Sequence, residues 1–106
     1  MKKLILTLGL ITGLNSLYAA PPIHIAASTG DLEKIKSLIN SGVDVDSMPE
    51  NYPYTPLFIA AGDNQAEAVD LLISLGANLD SVNNGITPLL NALRYNRIDI
   101  AIKLIL

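Results

Sequence analysis

Few residues of this sequence can carry acid–base or metal chemistry. The 106 residues include one His, no Cys and 10 Asp plus Glu. His24 is therefore the only side chain that ordinarily titrates between about pH 5 and 8. One His cannot form a two-His metal site, and without Cys the sequence excludes disulfides, thiolate catalysis and Cys-ligated zinc. We expect no catalytic residue, and hence no enzyme.

Three carboxylates close in sequence, those of Asp44, Asp46 and Glu50, are of the type that calcium prefers. No Gly stands where a calcium loop needs its sharp turn, and the first two residues recur further along the chain as Asn78 and Asp80. This recurrence favours a structural loop. The sequence also has no Gly-rich phosphate loop. We therefore expect no bound metal and no cofactor.

The charge balance argues against nucleic-acid binding. The formal net charge is −3. Removal of an N-terminal segment with Lys2 and Lys3 leaves 5 cations against 10 carboxylates, a balance of −5. Arg94 and Arg97 are the only Arg residues. Because phosphate binding relies on clustered cations, the sequence predicts no nucleic-acid partner.

The N-terminus has the pattern of a secretory signal peptide. Lys2 and Lys3 follow the initial Met, residues 4–14 form an uncharged apolar run, and the segment ends with the small residues Ala19 and Ala20. The apolar run is well short of the roughly 20 residues that a membrane-spanning helix needs. We expect residues 1–19 to be removed, with cleavage after Ala19 or Ala20. The mature protein would then be periplasmic or secreted from a bacterium, with no membrane contact.

Two alternatives to cleavage remain open for this segment. An uncleaved signal would anchor the protein to the inner membrane, and the segment could instead form a first helix of the fold.

The rest of the sequence repeats itself. Residues 22–46 and 56–80 are identical at nine of 25 positions after a shift of 34. A third copy starts 32 residues later, where Thr87-Pro88-Leu89 matches Thr55-Pro56-Leu57. Such a period is typical of a solenoid, in which each unit buries its apolar face against its neighbours.

The second half of the third copy aligns better at a shift of 33, which pairs residues 102–106 with 69–73. We therefore expect one extra residue between Asn96 and Ile102.

Each repeat predicts two short helices followed by an extended loop. Pro56 suits the first turn of a helix, and the hydroxyl of Thr55 can cap that helix. Ala60 and Ala61 are small, so we expect the first helices of adjacent repeats to approach closely.

The second helix of each repeat has apolar residues at helical spacing. Gly42 and Gly76 follow it and are expected to end it, because Gly accepts the left-handed conformation. The charged residues at one equivalent position should face solvent; they are Lys36, Asp70 and Lys103. The apolar faces are Leu32, Ile35, Leu38 and Ile39; then Val69, Leu72 and Ile73; then Ile102, Ile105 and Leu106.

The clearest copy reads YTPLFIAA at 54–61 and AVDLLISLGANLD at 68–80. It resembles the ankyrin repeat, whose units read T-P-L-H-x-A-A and then V-V-x-L-L-L-x-x-G-A-D-V-N. The first copy starts with PPIHIAA at 21–27, whereas the third has Asn91 and Leu93 where the family prefers an apolar residue and Ala. The resemblance implies an all-α solenoid of stacked helix-turn-helix units joined by extended, hairpin-like loops.

The resemblance also implies domain limits and a role for the single His. The repeats should span about 21–53, 54–85 and 86–106, the last one incomplete. His24 falls where ankyrin repeats carry a structural His that hydrogen-bonds within the stack. Since the apolar third repeat stops inside its second helix, we expect a longer array with at least one more repeat or capping helix. The complete array should be monomeric.

Ankyrin repeats are known chiefly as protein-binding scaffolds, and partners usually contact the loop tips and the inner face of the first helices. At the loop tips these positions are Asn51, Tyr52, Tyr54, Asn83, Asn84 and Ile86. On the first helices they are Ser28, Thr29, Gly62, Asp63, Arg94 and Tyr95. Tyr and Arg are enriched in interface hot spots, although Tyr52 and Tyr54 could instead pack the longer first loop.

Two functions remain open at this level. The first is an exported, non-catalytic module that binds another protein. The second is the regulatory or targeting region of a larger secreted enzyme or toxin whose catalytic part lies beyond Leu106.

Leu8→Arg should block export, because a charge in the apolar run opposes insertion into the membrane. The wild-type protein should appear in the periplasm or medium with Ala20 or Pro21 as its first residue, as measured by mass spectrometry of its N-terminus. Recovery of intact Met1 from the cytoplasm would contradict the signal peptide.

Overall fold

The computed structural model describes residues 20–106, so the expected signal peptide at 1–19 lies outside the described residues. Within this range no helix has the length and hydropathy that a membrane span requires. The described chain is all-α: it contains no strand, only an isolated antiparallel bridge in one loop. Its six helices are α1 (Pro22–Thr29), α2 (Leu32–Asn40), α3 (Pro56–Gly62), α4 (Ala66–Ser74), α5 (Pro88–Arg94) and α6 (Ile98–Ile105).

The helices form three stacked pairs, α1 with α2, α3 with α4 and α5 with α6. The first helices α1, α3 and α5 pack side by side in one layer, and the second helices α2, α4 and α6 form the other layer. Fully buried alanines occupy the contacts between first helices, as their small size predicted; they are Ala26, Ala27, Ala60, Ala61 and Ala92.

The helix starts follow the capping chemistry of the sequence. The hydroxyl of Thr55 accepts a hydrogen bond from the backbone N–H of Phe58 at 3.2 Å, and that of Thr87 accepts one from Leu90 at 3.2 Å. At α1 the equivalent residue is Pro21, which provides no side-chain cap. The first helix therefore lacks a hydrogen bond that the other two possess.

The turn between the two helices of each repeat uses a left-handed residue. Gly30, Asn64 and Asn96 have φ values of 76°, 63° and 61°, and the last two lie 32 residues apart. Gly30 provides this conformation without strain, and Asn tolerates it better than most residues. Gly42 and Gly76 also adopt positive φ after the second helices, as predicted.

The predicted extra residue in the third repeat is wrong. Asn96 matches Asn64 at a shift of 32, and the same shift continues through α6, whose buried residues Ile100, Ala101 and Leu104 match Ala68, Val69 and Leu72. The residues expected on the buried face are exposed instead; they are Ile102, Ile105 and Leu106. Lys36, Asp70 and Lys103 do face solvent, and Lys103 pairs with Asp70 at 3.0 Å.

Gln65 and Arg97 are equivalent residues, and each donates a hydrogen bond to the preceding repeat. The Gln65 side chain donates from Nε2 to the carbonyl of Ser28 at 2.9 Å, and Arg97 donates from Nε to the carbonyl of Gly62 at 3.0 Å. Each donor precedes a second helix, and each acceptor lies near the end of the preceding repeat's first helix. These bonds satisfy carbonyls that have no partner within a helix end.

Two of the three carboxylates considered as calcium ligands hold backbone N–H groups of the loops. Asp44 Oδ1 accepts a hydrogen bond from the N–H of Asp46 at 2.9 Å, and Asp46 Oδ1 accepts one from the N–H of Asn78 in the next repeat at 2.9 Å. Asn78 repeats the first of these bonds with Asp80 at 2.9 Å. No group of three His, Cys, Asp or Glu side chains within residues 20–106 is placed to hold a metal ion.

Ala60→Leu should lower the free energy of unfolding by about 1–3 kcal/mol, because overpacking a filled core forces neighbouring helices apart. Ala60 is fully buried in the core. Ser37→Leu is the matched control, since Ser37 is exposed on α2, and its effect should stay within about 0.5 kcal/mol. Urea unfolding followed by circular dichroism measures both; equal effects would contradict the close packing of first helices.

Candidate partner-binding groove

The first loop, between α2 and α3, is held by a row of aromatic contacts. The ring of Tyr52 meets the His24 ring edge-on at 5.0 Å and the Tyr54 ring edge-on at 5.3 Å. Tyr54 in turn stacks on Phe58 with centroids 5.3 Å apart. Both Tyr side chains are half-buried. They therefore pack this loop against the first helices and still present part of their surface to solvent.

His24 is a structural residue of this row. It is fully buried, and its Nε2 hydrogen-bonds with the carbonyl oxygen of Tyr54 at 2.5 Å, which joins the first repeat to the second. Burial lowers the pKa of His24 below its ordinary value, and this effect exceeds the opposing influence of the backbone groups of Tyr54 and Ser47. The ring is accordingly neutral near pH 7.

A carboxylate lies at the end of α3 beside the aromatic row. Asp63 accepts a hydrogen bond from the Ser28 hydroxyl at 2.7 Å, and its side chain is exposed. The pKa of Tyr52 is raised by burial first, and then by the negative charge of Asp63 and by Tyr54. Tyr52 thus remains a neutral hydrogen-bonding phenol in the physiological pH range.

The first helices α3 and α5 enclose a pocket of about 220 Å³ on the inner face. Five of the residues predicted to contact a partner line it together: Tyr54, Gly62, Asp63, Arg94 and Tyr95. The remaining walls are Phe58, Ile59 and Asn91. We refer to these eight residues as the inner groove.

Arg94 and Tyr95, which are consecutive at the end of α5, form the positively charged end of the inner groove. The Arg94 guanidinium carbon lies 5.0 Å from the centroid of the Tyr95 ring, and its Nη2 donates to the Tyr95 hydroxyl at 3.1 Å. Both side chains are exposed. The stacked pair offers a flat apolar surface and free guanidinium donors to a partner.

The second loop is a two-residue hairpin turn. Asn83 and Ile86 exchange backbone hydrogen bonds at 3.1 and 3.0 Å, and Asn84 and Gly85 between them have φ values of 53° and 79°. Two consecutive positive φ values are typical of a type I′ turn. Asn84 is exposed at its tip, whereas Asn83 and Ile86 are half-buried.

The predicted contact residues therefore fall into four groups. Five line the inner groove, and Asn83, Asn84 and Ile86 form the hairpin. Asn51 and Tyr52 lie in the first loop, whereas Ser28 and Thr29 lie at the end of α1 and do not line the inner groove. Asn91 was not among the predicted contact residues. The sequence marks Asn91 in only one way: it is polar, whereas the equivalent residues of the two preceding repeats are Ile25 and Ile59.

The stacked helix pairs, left-handed turns and hairpin loop agree with comparisons to known proteins. A family model described as ankyrin repeats in three copies matches residues 23–106. The chain belongs to the ankyrin-repeat family. Ankyrin repeats are protein-interaction modules, and their fold is typically non-catalytic.

Solved structures agree with this assignment of the ankyrin chain, and 318 chains match it. One is the human ASB11 ankyrin repeat domain, with 30% sequence identity and a TM-score of 0.72. The match covers 81% of this chain and 39% of that domain, so the chain spans well under half of the human domain's length. A search of curated protein sequences gave no significant match.

The ankyrin chain should lose stability as the pH falls below about 6.5, the pKa of His in the unfolded chain. Because the pKa of His24 is lower when folded, the unfolded chain binds more protons between the two values, and the free energy of unfolding decreases across that window. Urea midpoints measured from pH 8 to 5 test this.

His24→Gln is the control for that titration, since it removes the ionisable ring. Its urea midpoint should be nearly flat between pH 7 and the lowered pKa of His24, although the variant should be less stable at pH 7. An unchanged slope in the variant would show that His24 is not the titrating group.

Proposed function

We propose that this ankyrin protein is an exported, non-catalytic module that binds another protein through its inner groove and loop tips. The observation that carries the proposal is the inner groove, where Tyr54, Asp63, Arg94 and Tyr95 line one concave surface. Tyr and Arg combine large contact area with hydrogen bonds, and they dominate interface hot spots.

The proposed surface extends from the inner groove to both loops. On the first loop it includes Asn51 and Tyr52, and on the second loop it includes Asn83, Asn84 and Ile86 of the hairpin. Rigid hairpins and helix faces suit this role because they lose little conformational freedom on binding.

The size and charge of the groove favour a protein partner. Pockets for drug-sized molecules hold about 300–1,000 Å³, whereas this one holds about 220 Å³. The acidic balance of the chain disfavours nucleic acid, which requires clustered cations. Export remains a proposal that rests on the basic start and apolar run of residues 1–20. The partner would then be a periplasmic, envelope or extracellular protein.

Site-specific photo-crosslinking tests the binding surface even though the partner is unidentified. A benzophenone amino acid replaces Tyr95 in the inner groove or Asn84 at the hairpin tip, and Lys36 on the exposed side of α2 serves as control. We expect the same protein to crosslink from the first two positions in the envelope fraction and not from Lys36. Crosslinks from Lys36 alone would contradict the proposal.

Arg94→Ala and Tyr95→Ala should each weaken binding of that crosslinked partner by about 1–2 kcal/mol, because each removes part of a stacked hot-spot pair. Both side chains are exposed, so urea midpoints should change little. Isothermal titration calorimetry with the purified partner measures the loss, and Lys36→Ala is the matched control. If both variants bind as tightly as Lys36→Ala, the groove is not the interface.

A further inference from the structure

Asn91 is a buried polar residue at a position that is apolar in the other repeats. It lies on α5 where α1 has Ile25 and α3 has Ile59, and its side chain is only 3% exposed. Its Nδ2 donates to the carbonyl of Phe58 at 3.0 Å, which fixes the orientation of the amide. This bond joins the third repeat to the second, and neither equivalent Ile can make it.

The other half of this amide has no partner. Asn91 Oδ1 is buried and accepts no hydrogen bond from any residue between 20 and 106. A buried acceptor without a donor is unfavourable for folding, and such groups in native proteins call for an explanation. Asn91 forms part of the wall of the inner groove, so a donor from outside the chain can complete its bonding.

Gly62 on α3 makes room for this amide. A Cβ atom at Gly62 would clash with Asn91 Nδ2, while the equivalent residues of the other repeats, Ser28 and Arg94, carry side chains. The Tyr95 ring borders the same space, with Cδ2 about 3.5 Å from where that Cβ would lie. Gly62 and Asn91 thus both differ from their equivalents in the other repeats, and both line the inner groove.

We infer that Asn91 Oδ1 is the specificity-determining acceptor of the inner groove, and that it receives a hydrogen bond from an uncharged donor on an extended segment of the partner protein. The inference rests on the proposed function. The donor is a backbone N–H, a hydroxyl or an amide. A cation is disfavoured because Asn91 Oδ1 is buried and uncharged, so it cannot compensate the cost of removing a charge from water. Because Oδ1 is buried, the inference requires the exposed Tyr95 side chain, which borders the same space, to rotate away when the donor binds.

A displayed library of random 12-residue peptides, selected on the full-length mature protein, provides the probe. Selected peptides are tested for binding to wild type, to Asn91→Ile and to the matched control Asn40→Ile, whose Asn is exposed on α2. We expect Asn91→Ile to weaken binding at least tenfold and Asn40→Ile to change it less than twofold. Asn91→Ile should unfold at the same or a higher urea concentration than wild type, because it removes the unpaired acceptor.

Nuclear magnetic resonance of wild type provides a measurement independent of any variant. Addition of a selected peptide should shift the side-chain amide signals of Asn91 more than those of Asn40. Peptides that bind wild type and Asn91→Ile equally overturn the inference, as does an Asn91→Ile variant much less stable than wild type. If peptide binding is lost in Tyr95→Ala and kept in Asn91→Ile, the proposed function stands and the inference fails. A library without any Tyr95-sensitive peptide contradicts both.

Discussion

The whole structure depends on the close approach of neighbouring first helices. Ala26, Ala27, Ala60 and Ala61 are fully buried on α1 and α3 and occupy little space there. A solenoid repeat has too little apolar surface to fold alone and is stabilised by its neighbours. Side chains of this size therefore set the spacing between repeats, and that spacing determines which loop and helix residues meet on the inner face.

Hydrogen bonds between neighbouring repeats also hold the stacked repeats in register. Gln65 and Arg97 each donate to a carbonyl of the preceding repeat, and Asp46 accepts from the backbone of the next. On the inner side, His24 joins the first helix to the loop that carries Tyr52 and Tyr54. A partner surface built this way is held in place by contacts between repeats as well as within them.

Much of this fold could be predicted from the sequence, because caps and small residues act locally. As predicted, Thr55 caps a helix, Ala60 is buried and Gly76 adopts a positive φ after a helix end. The register of α6 could not be predicted, since Ile and Leu occupy most of its circumference and shifts of 32 and 33 both align apolar residues. The unpaired oxygen of Asn91 was equally out of reach, because it depends on which groups of α3 lie opposite α5. Whether Tyr52 faces solvent or packs on His24 likewise depends on the path of a loop.

Hydrogen–deuterium exchange of the protein, free and bound to its crosslinked partner, tests the central claim that the inner face is the interface. We predict slower exchange in the bound state at residues 51–63 and 83–95, which contain both loops' contact residues and the first helices α3 and α5. Exchange in the second helices at 32–40 and 66–74 should stay the same. Protection confined to those second helices, with no change along α3 and α5, would show that the inner face is not the interface.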